Sequence, residues 1–176
     1  MVPSQALPGL VLLLLLVSSS ASDLQDTCKS FGAAHKDIGY DYCIKFFQAD
    51  KGSATADSRG LAVIAAKITK ATAESTHKRI AALKASAKEK KVRSGLDDCA
   101  ELYSDAVDEL DVAAKGIAAG TSQGMNDAVA NLSGAADAPP TCEDGFQELG
   151  VMSPLAAEDS EFTRQVSVAL VITRAL

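Results

Sequence analysis

Two stretches with the same helical rhythm, each carrying one cysteine, stand on either side of a short polar break, and this pairing constrains the fold most. Between Leu96 and Leu149, the first arm repeats core-type residues at Leu96, Cys99, Tyr103, Ala106, Leu110, Ala113 and Ile117. Alternating steps of three and four make the seam of a helix that packs lengthwise on another helix. Past Gly120-Thr121-Ser122-Gln123-Gly124 the rhythm restarts at Met125, Ala128, Leu132 and Ala135, then Cys142, Phe146 and Leu149. Glycines at both ends of a polar run suit a turn between antiparallel helices. When the chain is folded back at the junction of Gly120 and Thr121, Cys99 and Cys142 lie equally far from it, and both fall on the buried seam. The reflection therefore proposes a disulfide between them. Pro139-Pro140 interrupts the second arm, and a proline inside a helix costs about 3 kcal/mol or more. Because Ala135, Pro139 and Cys142 keep their phase, the expectation is a kink or short break, with a new turn from about Thr141.

Ahead of this hairpin, Leu10 to Val17 is an unbroken apolar run followed by small residues, Ser18 to Ser22. Residues 1–22 thus read as a signal peptide cleaved after Ala21 or Ser22. The run is shorter than the roughly 20 residues a membrane span needs, so no membrane anchoring is expected. Secretion makes the four cysteines, Cys28, Cys43, Cys99 and Cys142, two disulfides. Counting alone leaves three connectivities. Cys28 and Cys43 flank a turn expected over Gly32 to Gly39, and their midpoint falls between His35 and Lys36. The same reflection pairs them.

Residues 23–176 then form one domain, with a small N-terminal helical hairpin over 23–50 and a bundle over 55–176. Asp50 to Ser58 is polar and reads as a linker. A long helix follows from about Thr55 to Lys88, with Leu61, Ile64, Ile68, Ala71, Ile80 and Leu83 available for one face, and Lys88-Glu89-Lys90-Lys91 reads as a solvated connection. The last helix starts at Ser153-Pro154, since serine caps well and proline fits a first turn. It carries Phe162, Val166, Ala169, Leu170 and Thr173 along one side. Abundant alanine and the absence of tryptophan favour close helix packing through small side chains. The fold expected is all-α, an up-down-up-down four-helix bundle with an appended helical hairpin and two disulfides.

The sequence carries no catalytic or cofactor motif. His35 sits in a turn and His77 in mid-helix, neither beside a nucleophile or in a metal spacing, and the cysteines show no CxxC pattern. No enzyme activity, cofactor or metal is expected. The net charge of −6 argues against nucleic acid or an anionic membrane as partner and permits a basic protein. Asp97, Glu101, Asp105 and Asp108 share one face of the second bundle helix, opposite Cys99 and Tyr103, and Glu109 and Asp111 widen the patch. Two readings stand: an ordinary solvated helix face, or a binding face retained despite unrelieved repulsion between like charges. Asn131-Leu132-Ser133 fits the N-glycosylation sequon, and equally fits a helical Asn beside a buried Leu132.

At these residues the chain resembles the plant invertase and pectin methylesterase inhibitor family, over essentially the whole mature sequence. The resemblance is carried by the four-cysteine spacing, by Tyr40-Asp41-Tyr42-Cys43, by the run from Asp98 to Leu110, by Thr141-Cys142-Glu143-Asp144-Gly145-Phe146 and by Ser153-Pro154-Leu155. It looks nearest to the pollen-allergen branch named for invertase inhibition. The resemblance implies a four-helix bundle with neighbouring-cysteine disulfides, and a plant protein of the apoplast or cell wall. It further implies an inhibitor, monomeric until it blocks a cell-wall enzyme in a one-to-one complex. For pectin methylesterase, bundle helices cover the substrate cleft, and helices two and three would bring Glu101, Asp105 and Asp108 to that contact. For invertase, a Pro-Lys-Phe tripeptide in a helix connection enters the sucrose pocket. This chain contains no Pro-Lys-Phe, and the corresponding connection reads Ala118-Ala119-Gly120-Thr121-Ser122-Gln123-Gly124. The expected target is therefore pectin methylesterase, with acid invertase as the alternative and a non-inhibitory binding bundle as a third reading.

Overall fold

The computed structural model describes residues 23–176; the segment read as a signal peptide lies outside the described residues. Helix α1 (residues 23–34) and α2 (Gly39–Phe47) form the N-terminal hairpin, and a 3-10 turn follows at Lys51–Ala54. Four long helices complete the chain: α3 (Ser58–Ser86), α4 (Lys90–Ala119), α5 (Ser122–Leu149) and α6 (Ala156–Arg174). Each long helix packs on its sequence neighbours, and α6 closes the ring against α3. Short connections force neighbours to run antiparallel, so the bundle is up-down-up-down. Among the described residues no strand occurs, and no helix is long and apolar enough to cross a membrane.

The core is built largely of alanine with a few large anchors, including Tyr103, Phe146, Phe162, Leu110 and Ile117, all essentially inaccessible to solvent. Tyr103 and Phe162 meet edge to face, with ring centroids 5.3 Å apart, the geometry that places the positive edge of one ring on the negative face of the other. The seam expected on α4 is the buried face observed there. On α3 the outcome differs. Ala62, Ala65, Ala66, Thr69, Ala73 and Thr76 are buried beside Leu61 and Ile80, whereas Ile64, Ile68 and Leu83 are half-buried and Ala71 is exposed. A helix held between two neighbours, α4 and α6, brings small residues to both contacts, and a single stripe of large residues does not describe it.

The turn between α4 and α5 consists of Gly120 and Thr121 alone. Gly120 adopts the left-handed conformation (φ 65°) that ends a helix, and the Thr121 side chain accepts from Gly124 N to begin the next. Just behind the turn the two helix backbones touch: a side chain at Gly116 would collide with the Gly124 carbonyl oxygen. Gly116→Val should therefore force the arms apart and cost about 1–3 kcal/mol. For a chain of this size that is a fall of roughly 2–12 °C in melting temperature. Thermal denaturation followed by far-UV circular dichroism would check it, and an unchanged melting temperature would contradict the close approach.

Cys28 is bonded to Cys43 (Cα–Cα 5.5 Å) and Cys99 to Cys142 (Cα–Cα 5.0 Å), the pairs related by reflection about the two turns. The small hairpin is further tied to the bundle by the Tyr42 hydroxyl, which donates to Glu161 at 2.8 Å, and by Arg164 stacked 5.3 Å over the Tyr42 ring.

Several boundaries move relative to the sequence reading. α5 runs unbroken through Pro139 and Pro140, so of the kink or short break expected there the break does not occur. The prolines deprive the Ala135 and Ala136 carbonyls of their helical donors. Pro139 is nonetheless buried in the bundle, and one residue beyond Thr141 the disulfide pins Cys142 to α4. Lys90 and Lys91 belong to the first turn of α4 rather than to a loop; Lys91 Nζ donates to the Leu149 carbonyl at 2.8 Å and so caps the end of α5. α6 begins at Ala156, not at Ser153, because the Ser153 hydroxyl accepts from Leu155 N and spends its capping capacity in the preceding turn. The segment read as a linker after Asp50 holds the 3-10 turn, whose Ser53 is buried with its hydroxyl donating to the Phe47 and Asp50 carbonyls.

Candidate functional site

The disulfide and the two-residue turn fix α4 and α5 in register, and the register decides which of their outer side chains meet. Along the solvent side of this pair lies an open groove of about 520 Å³. Asp98, Glu101 and Asp105 line it from α4, and Asp144 and Glu148 from α5, over a floor of Leu102, Thr141 and Gly145. α4 contains no Lys or Arg between Ser94 and Ala114, and α5 contains none at all. Five carboxylates therefore line the groove with no cation from either helix opposite them. One of them, Asp105, also acts on Glu109, which is half-buried against Gly134 of α5. Burial first, then the nearby charges of Asp105 and Asp137, raise its carboxyl above the ordinary value.

The acidic face read from the sequence is thus divided. Glu101 and Asp105 face the groove, and Asp108 is exposed on the same helix. Asp111 turns the other way, toward α3, where it pairs with Lys70 at 2.7 Å and Lys115 at 2.5 Å. Bonds from Lys115 and Lys70 pull its carboxyl down to about 2. Asp97 likewise pairs with Lys84 of α3. Repulsion is therefore relieved on the α3 side, contrary to the expectation of an uncompensated patch, because Lys70 and Lys84 arrive from another helix. The carboxylates of α5 escaped the sequence reading. The reflection that pairs the cysteines could have found them, since it places Asp144 opposite Asp97 and Asp98.

About 20 Å along α4 from Asp105, the α4–α5 turn presents Ala118, Ala119, Gly120, Thr121 and Ser122, all exposed and all small. Arg59 Nη1 donates to the Ile117 carbonyl at 3.0 Å and fills the space behind Gly120, holding the tip flat against α3. Asn131 lies in mid-α5, half-exposed, with its amide nitrogen donating to the Asp127 carbonyl at 2.8 Å. The Ser133 hydroxyl is used in the same way, on Val129. Among the described residues no cluster of His, Cys, Asp and Glu is placed to hold a metal ion. No Cys, His or Ser is among the residues that line the groove. What it offers is a concave, one-signed field that attracts a cationic surface and repels an anionic one.

The sequence matches the family described as plant invertase/pectin methylesterase inhibitor over residues 22–172. It is 34% identical over 167 residues to a protein of Platanus acerifolia named "Putative invertase inhibitor", covering 94% of this chain and 92% of that one. It is 30% identical over 135 residues to a protein of Actinidia deliciosa named "Pectinesterase inhibitor", covering 76% of this chain and 71% of that one. Among solved structures, a pectin methylesterase inhibitor from Arabidopsis thaliana superposes with a TM-score of 0.62 at 20% identity, over 89% of this chain and 97% of that one. A mutant form of such an inhibitor from Arabidopsis gives 0.66 at 22% identity, over 78% of this chain and 89% of that one. These likenesses are of fold.

Proposed function

Since the chain belongs to the plant invertase/pectin methylesterase inhibitor family, a family of proteinaceous enzyme inhibitors rather than enzymes, we propose that it is a secreted inhibitor of pectin methylesterase. It acts in the cell wall as a monomer that forms a one-to-one complex, laying the α4–α5 groove over the enzyme's substrate cleft. The observation that carries this reading is the cation-free groove lined by Asp98, Glu101, Asp105, Asp144 and Glu148. Pectin becomes a polyanion as its esters are hydrolysed, so an enzyme that binds it presents positive charge, and a one-signed acidic face complements such a surface. Glu101, Asp105 and Asp108 are the central contacts in this reading. Glu109 supports them from the α5 side, and Asp111, held by Lys70 and Lys115, contributes through packing on α3. Residues 1–22 supply the export signal, and Asn131 is a candidate glycan acceptor modified before the helix forms.

A specific observation favours acid invertase as a second target: the Platanus relatives named for invertase inhibition are similar over nearly the whole chain. Against it stands the flat tip at Gly120-Thr121, which has no large or aromatic side chain to anchor in a sugar pocket. The test mixes purified, disulfide-intact protein with each enzyme and follows methanol release and sucrose hydrolysis. Suppressed methanol release with sucrose hydrolysis untouched is the expected result. The reverse pattern would overturn the assignment to pectin methylesterase.

A further inference from the structure

Behind the groove, where α4, α5 and α6 meet, a buried carboxyl of α6 lies beside a half-buried one of α5 with no donor between them. Asp159 stands in the first turn of α6 and is 3% exposed. One of its oxygens accepts from the Tyr103 hydroxyl of α4 at 2.5 Å. The other, Oδ2, is buried without a partner, and so is Oε1 of Glu143 on α5. Glu143 is within hydrogen-bonding reach of Asp159. Two ionised carboxylates in that position would each leave a buried acceptor unsatisfied and would repel one another. A single proton between them satisfies both.

We infer that Asp159 and Glu143 share one proton, and that this proton, with the Tyr103 hydroxyl, latches α6 to α4 and α5 in acid and releases it as the pH approaches and passes neutrality.

The surroundings support the shared proton. From α4 only the neutral Tyr103 addresses Asp159, and its own hydroxyl is held protonated by burial and by the Asp159 carboxyl beside it. From α5 comes Glu143. On α6 itself lies Glu158, whose charge is met by Arg79 of α3 at 3.6 Å. Burial, then the Glu143 carboxyl, push Asp159 up to about 8, with the Tyr103 bond acting in the opposite sense. The competing influence is the N-terminal dipole of α6, which favours a negative charge. A carboxyl whose folded value lies above its unfolded value contributes stability that is complete in acid, below the unfolded value. That stability is lost as pH rises through the folded value. Asp111 has the opposite sign, losing its contribution only as the pH falls toward 2, outside the window of interest. The latch joins α6 to the turn of α5 that follows Cys142 and precedes Asp144, so it braces one wall of the acidic groove.

Chemical denaturation of the mature, disulfide-bonded chain should show its unfolding constant rising from about pH 5 to about pH 8, by at most about tenfold per pH unit for one proton. Asp159→Asn keeps an oxygen for Tyr103 and supplies a permanent N–H for Glu143. Its profile should be flatter, so that the wild-type to variant ratio of unfolding constants grows about tenfold or more across that window. Contributions from titrating groups away from the Asp159, Glu143 and Tyr103 cluster cancel in this ratio. Parallel profiles would overturn the inference and indicate an ionised pair bridged by water or held by the helix dipole. Carboxyl-carbon NMR of Asp159 in the wild-type chain gives an independent answer should the variant fail to fold. A resonance still protonated at about pH 6 supports the latch, and one ionised in the ordinary carboxylate range refutes it.

Discussion

Replacing Cys99 and Cys142 together with alanine lowers the melting temperature by about 8–16 °C, the largest loss of stability expected from any pair of substitutions in this chain. The bond closes a loop spanning 43 residues, and in the chain-entropy treatment releasing such a loop in the unfolded state costs about 4 kcal/mol. At 2–4 °C for each kcal/mol in a chain of this size, that gives the range stated. Removing both sulfurs avoids a free thiol and isolates the crosslink. The Cys28–Cys43 bond spans only 15 residues, and its loss should cost about 3 kcal/mol by the same reasoning, much of it confined to the small hairpin. Scanning calorimetry of the two double variants checks the ranking, and equal melting temperatures for wild type and the Cys99/Cys142 variant would contradict it.

Reversing three charges in the groove, with Glu101→Lys, Asp105→Lys and Glu148→Lys, should slow association with a basic pectin methylesterase by about 10- to 100-fold at low ionic strength. All three positions are exposed and none is in an ion pair, so the fold should keep its melting temperature or gain slightly from relieved repulsion. The difference from wild type should shrink as salt is added, because surface charges are screened over about 10 Å at moderate ionic strength. Stopped-flow association across a salt series separates this from a packing effect, which salt would leave untouched. Unchanged association rates would return the groove to an ordinary solvated helix surface.

Which parts of this molecule were legible in the sequence follows from how local their causes are. The α4 seam repeats with helical period, and the turn at Gly120-Thr121 is written in a left-handed glycine and a capping threonine. Together they determine which residues meet, so the disulfide could be read by reflection. Features that need a third helix were hidden. Lys84 and Lys70, which reach Asp97 and Asp111, come from α3, whereas the second partner of Asp111, Lys115, lies one turn along α4 itself. Two lysines in the first turn of α4 oppose the helix dipole and read as loop, until Lys91 is seen holding the end of α5. Asp159 looks like an ordinary acidic residue at a helix start. Only the arrival of Tyr103 from α4 and Glu143 from α5 makes it a buried group.

The absence of basic residues that shapes the groove also governs how the protein is cut. Trypsin cleaves after Lys or Arg, and none occurs between Lys115 and Arg164. Digestion with disulfides intact therefore yields residues 94–115 joined to residues 116–164 through Cys99–Cys142. Both walls of the groove leave in one crosslinked fragment, with Asp98, Glu101 and Asp105 on the shorter peptide and Asp144 and Glu148 on the longer.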